Sequence, residues 1–111
     1  VFIINGEIRS CYIRQPEEGL LSNVNLGGST EYIDVDEIPE KALEKSKEID
    51  RALANISPRI YSIDLMKGDD GEFWLVELND KPAVYCFKPA CDMNVEFKNI
   101  RRMFEVMSEA V

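Results

Sequence analysis

The sequence predicts an α+β fold, an antiparallel sheet built from hairpins with two helices packed on one face of it, in a single domain over residues 1–111. Two hairpin signals predict the sheet: Asn5-Gly6 between strand-like runs, and the Gly-Asp-Asp-Gly turn at residues 68–71. Two segments of helical periodicity, after Pro39 and from about Asn94, predict the helices. The order hairpin, loop, strand, helix, hairpin, helix is typical of this fold class.

The first hairpin joins residues 1–4 to residues 7–14. Asn-Gly is a strong two-residue hairpin signal because both turn positions need positive φ. Arg14 ends the outgoing strand, and turn-forming residues follow it. Gly27 and Gly28 come next, flanked by Asn, Ser and Thr, and this segment either offers backbone N–H groups to an anion or is a flexible connector.

A short strand at residues 32–35 precedes the first helix, which we expect over residues 39–56, with Pro39 in its first turn. The closing helix is expected over residues 94–109, with Asn94 as its cap. Each helix carries an apolar stripe that predicts its buried side. The first stripe comprises Ala42, Ser46, Ile49, Leu53 and Ile56, and the second comprises Phe97, Ile100, Phe104 and Met107.

The second hairpin, residues 60–79, carries the candidate functional groups. If its turn is symmetric about Asp69 and Asp70, Asp64 faces Leu75 across the strands, and Asp64 and Glu77 are diagonal neighbours roughly 7–8 Å apart. Asn79 then points to the same side as Glu77. The opposite, apolar side comprises Tyr61, Ile63, Leu65, Trp74, Val76 and Leu78.

Asp64, Glu77 and Asn79 offer two carboxylates and an amide oxygen on one side of the sheet. Mg²⁺ prefers oxygen ligands, and proteins usually hold it with one or two carboxylates together with substrate phosphates. Two carboxylates this close also repel each other unless a cation or water lies between them. The alternative is a half-solvated hairpin whose polar side carries acids by chance.

Composition narrows the possible functions. The net charge of −8 argues against a protein that binds nucleic-acid backbones, which are usually bound by basic modules. With no histidine and three cysteines, a structural zinc site and a histidine-based triad are disfavoured. We expect a cytoplasmic protein, in which reduced thiols are the default. No apolar run is long enough to cross a membrane. The chain starts within a predicted strand and without Met, and we expect it to be a segment of a larger protein.

Three motifs in order resemble the C-terminal subdomain of the ATP-grasp ligases: Ser-Asn-Val-Asn-Leu-Gly-Gly at residues 22–28, Ser-Ile-Asp-Leu-Met at 62–66, and Val-Glu-Leu-Asn at 76–79 followed by Pro82. The branch that looks most similar contains the ribosomal-protein-modifying glutamate ligases, the lysine-biosynthesis ligases and the bacterial glutathione synthetases. The resemblance covers essentially the whole chain, from the first hairpin to the last helix.

The resemblance implies an ATP- and Mg²⁺-dependent (or Mn²⁺-dependent) ligase that joins a carboxylate to an amine or thiol through an acyl phosphate. It implies that Asp64, Glu77 and Asn79 hold the metal ions that bridge the ATP phosphates. Arg14 would be the catalytic arginine that contacts the transferred phosphate. A site of this kind needs neither histidine nor an activated serine or cysteine, because positioning and charge neutralisation provide most of the catalysis.

By the same resemblance, Asn23, Gly27 and Gly28 would lie beside the reacting carboxylate, and a separate N-terminal subdomain would supply the other half of the nucleotide site. The implied partners are therefore ATP, a carboxylate, an amine or thiol acceptor and that missing subdomain, and neither nucleic acid nor a membrane. The sequence departs from the family at Lys81-Pro82-Ala83, where Ala83 replaces a usual glycine. The alternative is a non-catalytic α+β binding domain with a degenerate nucleotide site.

Overall fold

The computed structural model describes residues 1–15, 29–80 and 93–110. These residues form a five-stranded antiparallel sheet and two helices, so the predicted α+β class is confirmed. The elements are β1 (Phe2–Ile4), β2 (Glu7–Gln15), β3 (Ser29–Ile33), a 3₁₀ turn (Val35–Glu37), α1 (Glu40–Ala52), β4 (Ile60–Lys67), β5 (Phe73–Asn79) and α2 (Met93–Glu109). The strand order is β3-β2-β1-β4-β5, which places β1 at the centre and β5 at one edge of the described sheet.

Both predicted hairpins are present. Asn5 and Gly6 have φ values of 47° and 84° and turn β1 into β2. Gly71, with φ of 82°, closes the turn between β4 and β5, and the N–H of Gly68 donates to the carbonyl of Glu72. The two turns predicted from the sequence therefore connect the strand pairs β1–β2 and β4–β5.

The prediction that both helices pack on one face of the sheet is wrong. Ile3 packs with Tyr61 and Ile63 and with Ile49 of α1, whereas Phe2 and Ile4 pack with Val106 of α2. Successive residues of a strand point to opposite faces, so the two helices cover opposite faces of β1. We name these the α1 face and the α2 face. All three residues of β1 are apolar and buried, which is typical of a strand covered on both sides.

The first helix matches its prediction except at its end. It stops at Ala52 rather than at residue 56, and Ile56 is exposed beyond it. Ala42 and Ser46 are buried as expected, and Ile49 and Leu53 pack against the α1 face. Neither helix of the described residues is long and apolar enough to cross a membrane.

The second helix has the predicted position but not the predicted orientation. Phe97 and Phe104, expected on its inner side, are 62% and 66% exposed, and Met107 is also exposed. Its buried side instead carries Glu96, Asn99 and Val106, with Met103 packed beside Val106. The apolar stripe failed as a guide because polar side chains of β2 bind the first half of this helix.

Candidate functional site

Asp64, Glu77 and Asn79 lie on the α2 face of the sheet, on the neighbouring strands β4 and β5. Ser62 pairs with Asn79 and Asp64 pairs with Glu77 in the antiparallel register. Ser62 also pairs with Phe2, whose side chain packs against α2, and this fixes the face. The structure therefore brings the three candidate metal ligands together on one side of the hairpin.

The register differs from the symmetric one that we predicted. Lys67 pairs with Phe73, and an irregularity between Asp64 and Leu65 leaves Val76 as the extra residue of β5. Because of this bulge, Asp64 lies directly opposite Glu77 rather than diagonal to it. Directly opposed residues of a strand pair have Cβ atoms about 4.5–5.5 Å apart, closer than the predicted diagonal.

The same bulge moves other side chains of β5 between faces. Trp74 pairs with Met66, and these two residues therefore lie on the α2 face, next to the acidic pair, and not on the apolar face predicted for Trp74. Both are 58% exposed, and the indole of Trp74 lies beside Gly68 of the turn. The sequence motif contained Met66, but only the bulge assigns Trp74 to this face.

Arg14 lies near the end of β2 and contacts Asp64 of the acidic pair. Its Nη2 atom is 2.9 Å from Oδ2 of Asp64. The two side chains are 39% and 38% exposed, so this ion pair contributes little to stability and both groups stay accessible to a ligand. Two residues that were predicted from separate segments of the sequence are thus in direct contact.

The remaining predicted residues, Asn23, Gly27 and Gly28, lie outside the described residues, as does the loop with Lys81-Pro82-Ala83.

Sequence reasoning missed a polar contact next to Arg14. Tyr12, two residues earlier on the same face of β2, donates its hydroxyl hydrogen to the carboxylate of Glu96 in the first turn of α2. Glu96 is only 5% exposed. The alternation of β2 could have placed Tyr12 on the side of Arg14, but no sequence pattern predicts that Glu96 is buried.

The residues of the α2 face fit a divalent cation that is shared with phosphates. Asp64, Glu77 and Asn79 are all oxygen donors, which suits Mg²⁺ or Mn²⁺. Within the described ranges there is no group of three or more His, Cys, Asp or Glu side chains that could hold a metal. Two carboxylates and an amide make an incomplete cage, and phosphate oxygens and water would complete it.

A groove of about 680 Å³ lies elsewhere, on the α1 face between α1 and the first hairpin. Its lining includes Ile3, Ile8, Ile38 and Leu43, and none of the candidate site residues. Among the described residues, the acidic site is instead an open surface on the other side of the sheet.

One curated relative is a glutamate–LysW ligase, ArgX, from Sulfurisphaera tokodaii. The two sequences are 32% identical over 108 residues, which is 96% of this chain and 36% of the relative. The similarity to ATP-grasp ligases is confirmed. The chain thus spans about a third of the length of the ligase that it matches. No family model and no solved structure matches this chain.

Proposed function

We propose that this chain is the C-terminal catalytic part of an ATP- and Mg²⁺-dependent ligase that joins a carboxylate to an amine or thiol. One observation carries the proposal: Asp64 and Glu77 lie directly opposite each other, with Asn79 on the same face and Arg14 in contact with Asp64. The similarity to a glutamate–LysW ligase supports the class of reaction.

In the proposed reaction, an oxygen of the substrate carboxylate attacks the γ-phosphorus of ATP, and ADP leaves. The amine nitrogen or thiol sulfur then attacks the acyl carbon of the acyl phosphate, phosphate leaves with the bond electrons, and the nucleophile loses a proton. When bound, Mg²⁺ would neutralise charge on the phosphate oxygens.

The residues of this chain would position the reactants. The oxygens of Asp64, Glu77 and Asn79 would hold the cation, and the guanidinium of Arg14 would donate hydrogen bonds to the phosphoryl group as negative charge builds up on it. Asn23, Gly27 and Gly28 are proposed to line the carboxylate side of the site. Met66 and Trp74 offer an apolar surface on which a flat ring could rest beside the phosphates.

The test is calorimetric titration of the full-length protein with ADP, with and without Mg²⁺. We expect Asp64→Asn and Glu77→Gln each to weaken Mg²⁺-dependent ADP binding by about tenfold or more, because losing a group that only orients a metal ligand already costs about that much. Glu72→Gln is the matched control, because Glu72 is an exposed carboxylate of the same hairpin that pairs with Lys41 away from the acidic site.

The other outcomes identify the alternatives. A protein that binds no ADP in a metal-dependent way is the non-catalytic binding domain. Metal binding that is indifferent to ADP indicates a cation site without a nucleotide. If Asp64→Asn and Glu77→Gln bind ADP as well as Glu72→Gln does, the proposed site is wrong.

A further inference from the structure

Three alternate residues of β2, all on the α2 face, are each held by a polar side chain of another element. Nδ2 of Asn99 donates to Oγ of Ser10 at 3.2 Å. The hydroxyl of Tyr12 donates to the carboxylate of Glu96. Arg14, the last of the three, pairs with Asp64 of β4. Tyr12 therefore lies between a buried anchor and the arginine of the candidate site.

The α2 residues that contact β2 are buried, so they need these hydrogen-bond partners. Glu96 is 5% exposed and Asn99 is 1% exposed, whereas Phe97 of the same helix is 62% exposed. A buried carboxylate is costly unless it is hydrogen bonded, so the Tyr12 hydroxyl offsets part of the cost of burying Glu96. These polar contacts, rather than burial of the aromatic residues, fix how the first half of α2 lies on the sheet.

The end of β2 that carries Arg14 is held on both faces. On the α1 face, Cys11 and Ile13 pack in a core cluster with Ile38 and Ala42. The α2 face carries the polar contacts of Tyr12 and Arg14. The first residue of β1, Phe2, pairs with Ser10, and beyond that point β2 pairs in register with β3 alone among the described strands. The contact between Tyr12 and Glu96 gives this two-stranded end an attachment to α2.

We propose that Tyr12 and Glu96 are positioning residues for Arg14. They hold the end of β2 against the start of α2. In this way they keep the guanidinium of Arg14 within contact distance of the Asp64 carboxylate. This inference rests on the proposed function, because the position of Arg14 matters only if Arg14 contacts the phosphates.

The main experiment compares Tyr12→Phe with Tyr61→Phe in the full-length protein. The two changes are matched, because Tyr61 also donates its hydroxyl hydrogen to a carboxylate, that of Asp50, but on the α1 face. We expect Tyr12→Phe to weaken binding of Mn²⁺ with ADP roughly tenfold, the usual effect of losing a group that orients a binding residue. Tyr61→Phe should leave that affinity unchanged within about twofold, as should the affinity of either variant for Mn²⁺ alone.

A double-mutant cycle with Arg14→Gln separates positioning from general loss of stability. If Tyr12 acts through Arg14, then adding Tyr12→Phe to Arg14→Gln costs no further affinity for Mn²⁺ with ADP. Additive effects of the two changes would overturn the inference, as would equal affinities of Tyr12→Phe and Tyr61→Phe.

Changes at Glu96 keep the inference testable if Tyr12→Phe does not fold. Glu96→Gln retains an oxygen that accepts the Tyr12 hydrogen bond, so we expect an affinity within about twofold of the original protein. Glu96→Leu retains the volume but accepts no hydrogen bond, and we expect roughly tenfold weaker binding. Original affinity in Glu96→Leu overturns the inference.

These outcomes also distinguish the inference from the proposed function. If the unchanged protein does not bind Mn²⁺ with ADP, or if Asp64→Asn has no effect, the proposed function is wrong. If Asp64→Asn abolishes binding while the changes at Tyr12 and Glu96 behave like Tyr61→Phe, only the positioning role is wrong.

Discussion

Asp50 joins α1 to the start of β4 through three hydrogen bonds. Its carboxylate accepts from Nε and Nη2 of Arg59, at 2.8 and 2.9 Å, and from the hydroxyl of Tyr61 at 2.7 Å. The Arg59 guanidinium holds the pKa of Asp50 below its usual value, while burial and the nearby Asp50 carboxylate raise the pKa of Tyr61. One side chain thus fixes where the chain re-enters the sheet after α1.

Replacing Asp50 should change the pH dependence of stability. A carboxyl group whose pKa is lowered by folding stabilises the protein above its unfolded pKa, near 4, and this contribution is lost as the pH falls through the folded pKa. We expect Asp50→Asn to lower the free energy of unfolding by about 2 kcal/mol at pH 7. The difference from the original protein should shrink below about pH 4.

Urea unfolding at pH 7 and at about pH 2.5 measures this effect. Glu48→Gln is the control, because Glu48 makes an exposed pair with Lys45 on α1 and should matter little at either pH. A deficit of Asp50→Asn that stays constant with pH contradicts the expectation.

Arg14 should matter for ligand binding and chemistry and very little for folding. Its pair with Asp64 is more than a third exposed, so Arg14→Gln should change the free energy of unfolding by less than about 1 kcal/mol. If the full-length protein is the proposed ligase, the same change should lower turnover by roughly a hundredfold or more, since an arginine on a transferred phosphate stabilises charge in the transition state. Urea unfolding and steady-state assays of the same samples compare the two effects, and a large stability loss with normal turnover would reverse the assignment.

At the scale of elements, α2 exposes its aromatic residues and buries polar ones. Val106 is 1% exposed and packs against Phe2 and Ile4, whereas Phe104, two residues earlier, is 66% exposed. The buried side of this helix therefore stabilises the fold with few apolar groups.

Two substitutions in α2 test this orientation. Val106→Ala should lower the free energy of unfolding by about 2 kcal/mol, because it leaves a cavity against β1. Phe104→Ser should lower it by less than about 0.5 kcal/mol in this chain, because the ring has little contact to lose. Urea unfolding of the two variants compares them directly, and the opposite ranking would show that α2 is turned as its sequence pattern predicted.

Most of the sheet could be predicted because turn chemistry is local. Asn5-Gly6 and the Gly68–Gly71 turn identified both hairpins, and alternation placed Asp64, Glu77 and Asn79 on one side. The register could not be predicted, because a bulge at Val76 depends on how two strands fit together and not on either strand alone. The apolar residues 1–4 are typical of a strand covered on both faces, so they could have predicted that the helices lie on opposite faces. Burial of Glu96 could not be predicted, because it depends on Tyr12, 84 residues away.

At the scale of the whole molecule, the candidate site is open to solvent in the part of the chain that the structure describes. Glu77 and Asn79 are exposed on the edge strand β5, and the apolar residues Trp74, Val76 and Leu78 of the same strand are also exposed. Transfer of a phosphoryl group without its hydrolysis needs a site from which water is excluded. Within residues 1–15, 29–80 and 93–110, this open sheet face does not provide such an enclosure.

We therefore expect these 111 residues by themselves to show no ligase turnover and only weak ATP binding. Phosphate release from ATP with a carboxylate and an amine acceptor, compared between this segment and the full-length protein at equal concentration, measures the difference. Robust ATP-dependent ligation by the segment alone would refute this expectation and show that half of the proposed nucleotide site is dispensable.

The position of Trp74 has a practical consequence. It is the single tryptophan of the chain, and it is 58% exposed. It pairs with Met66, two residues from Asp64 along β4. Its indole emission depends on how much water surrounds the ring. A nucleotide that settles on this face would shift that emission, so the unlabelled protein carries its own optical reporter for occupancy of the site.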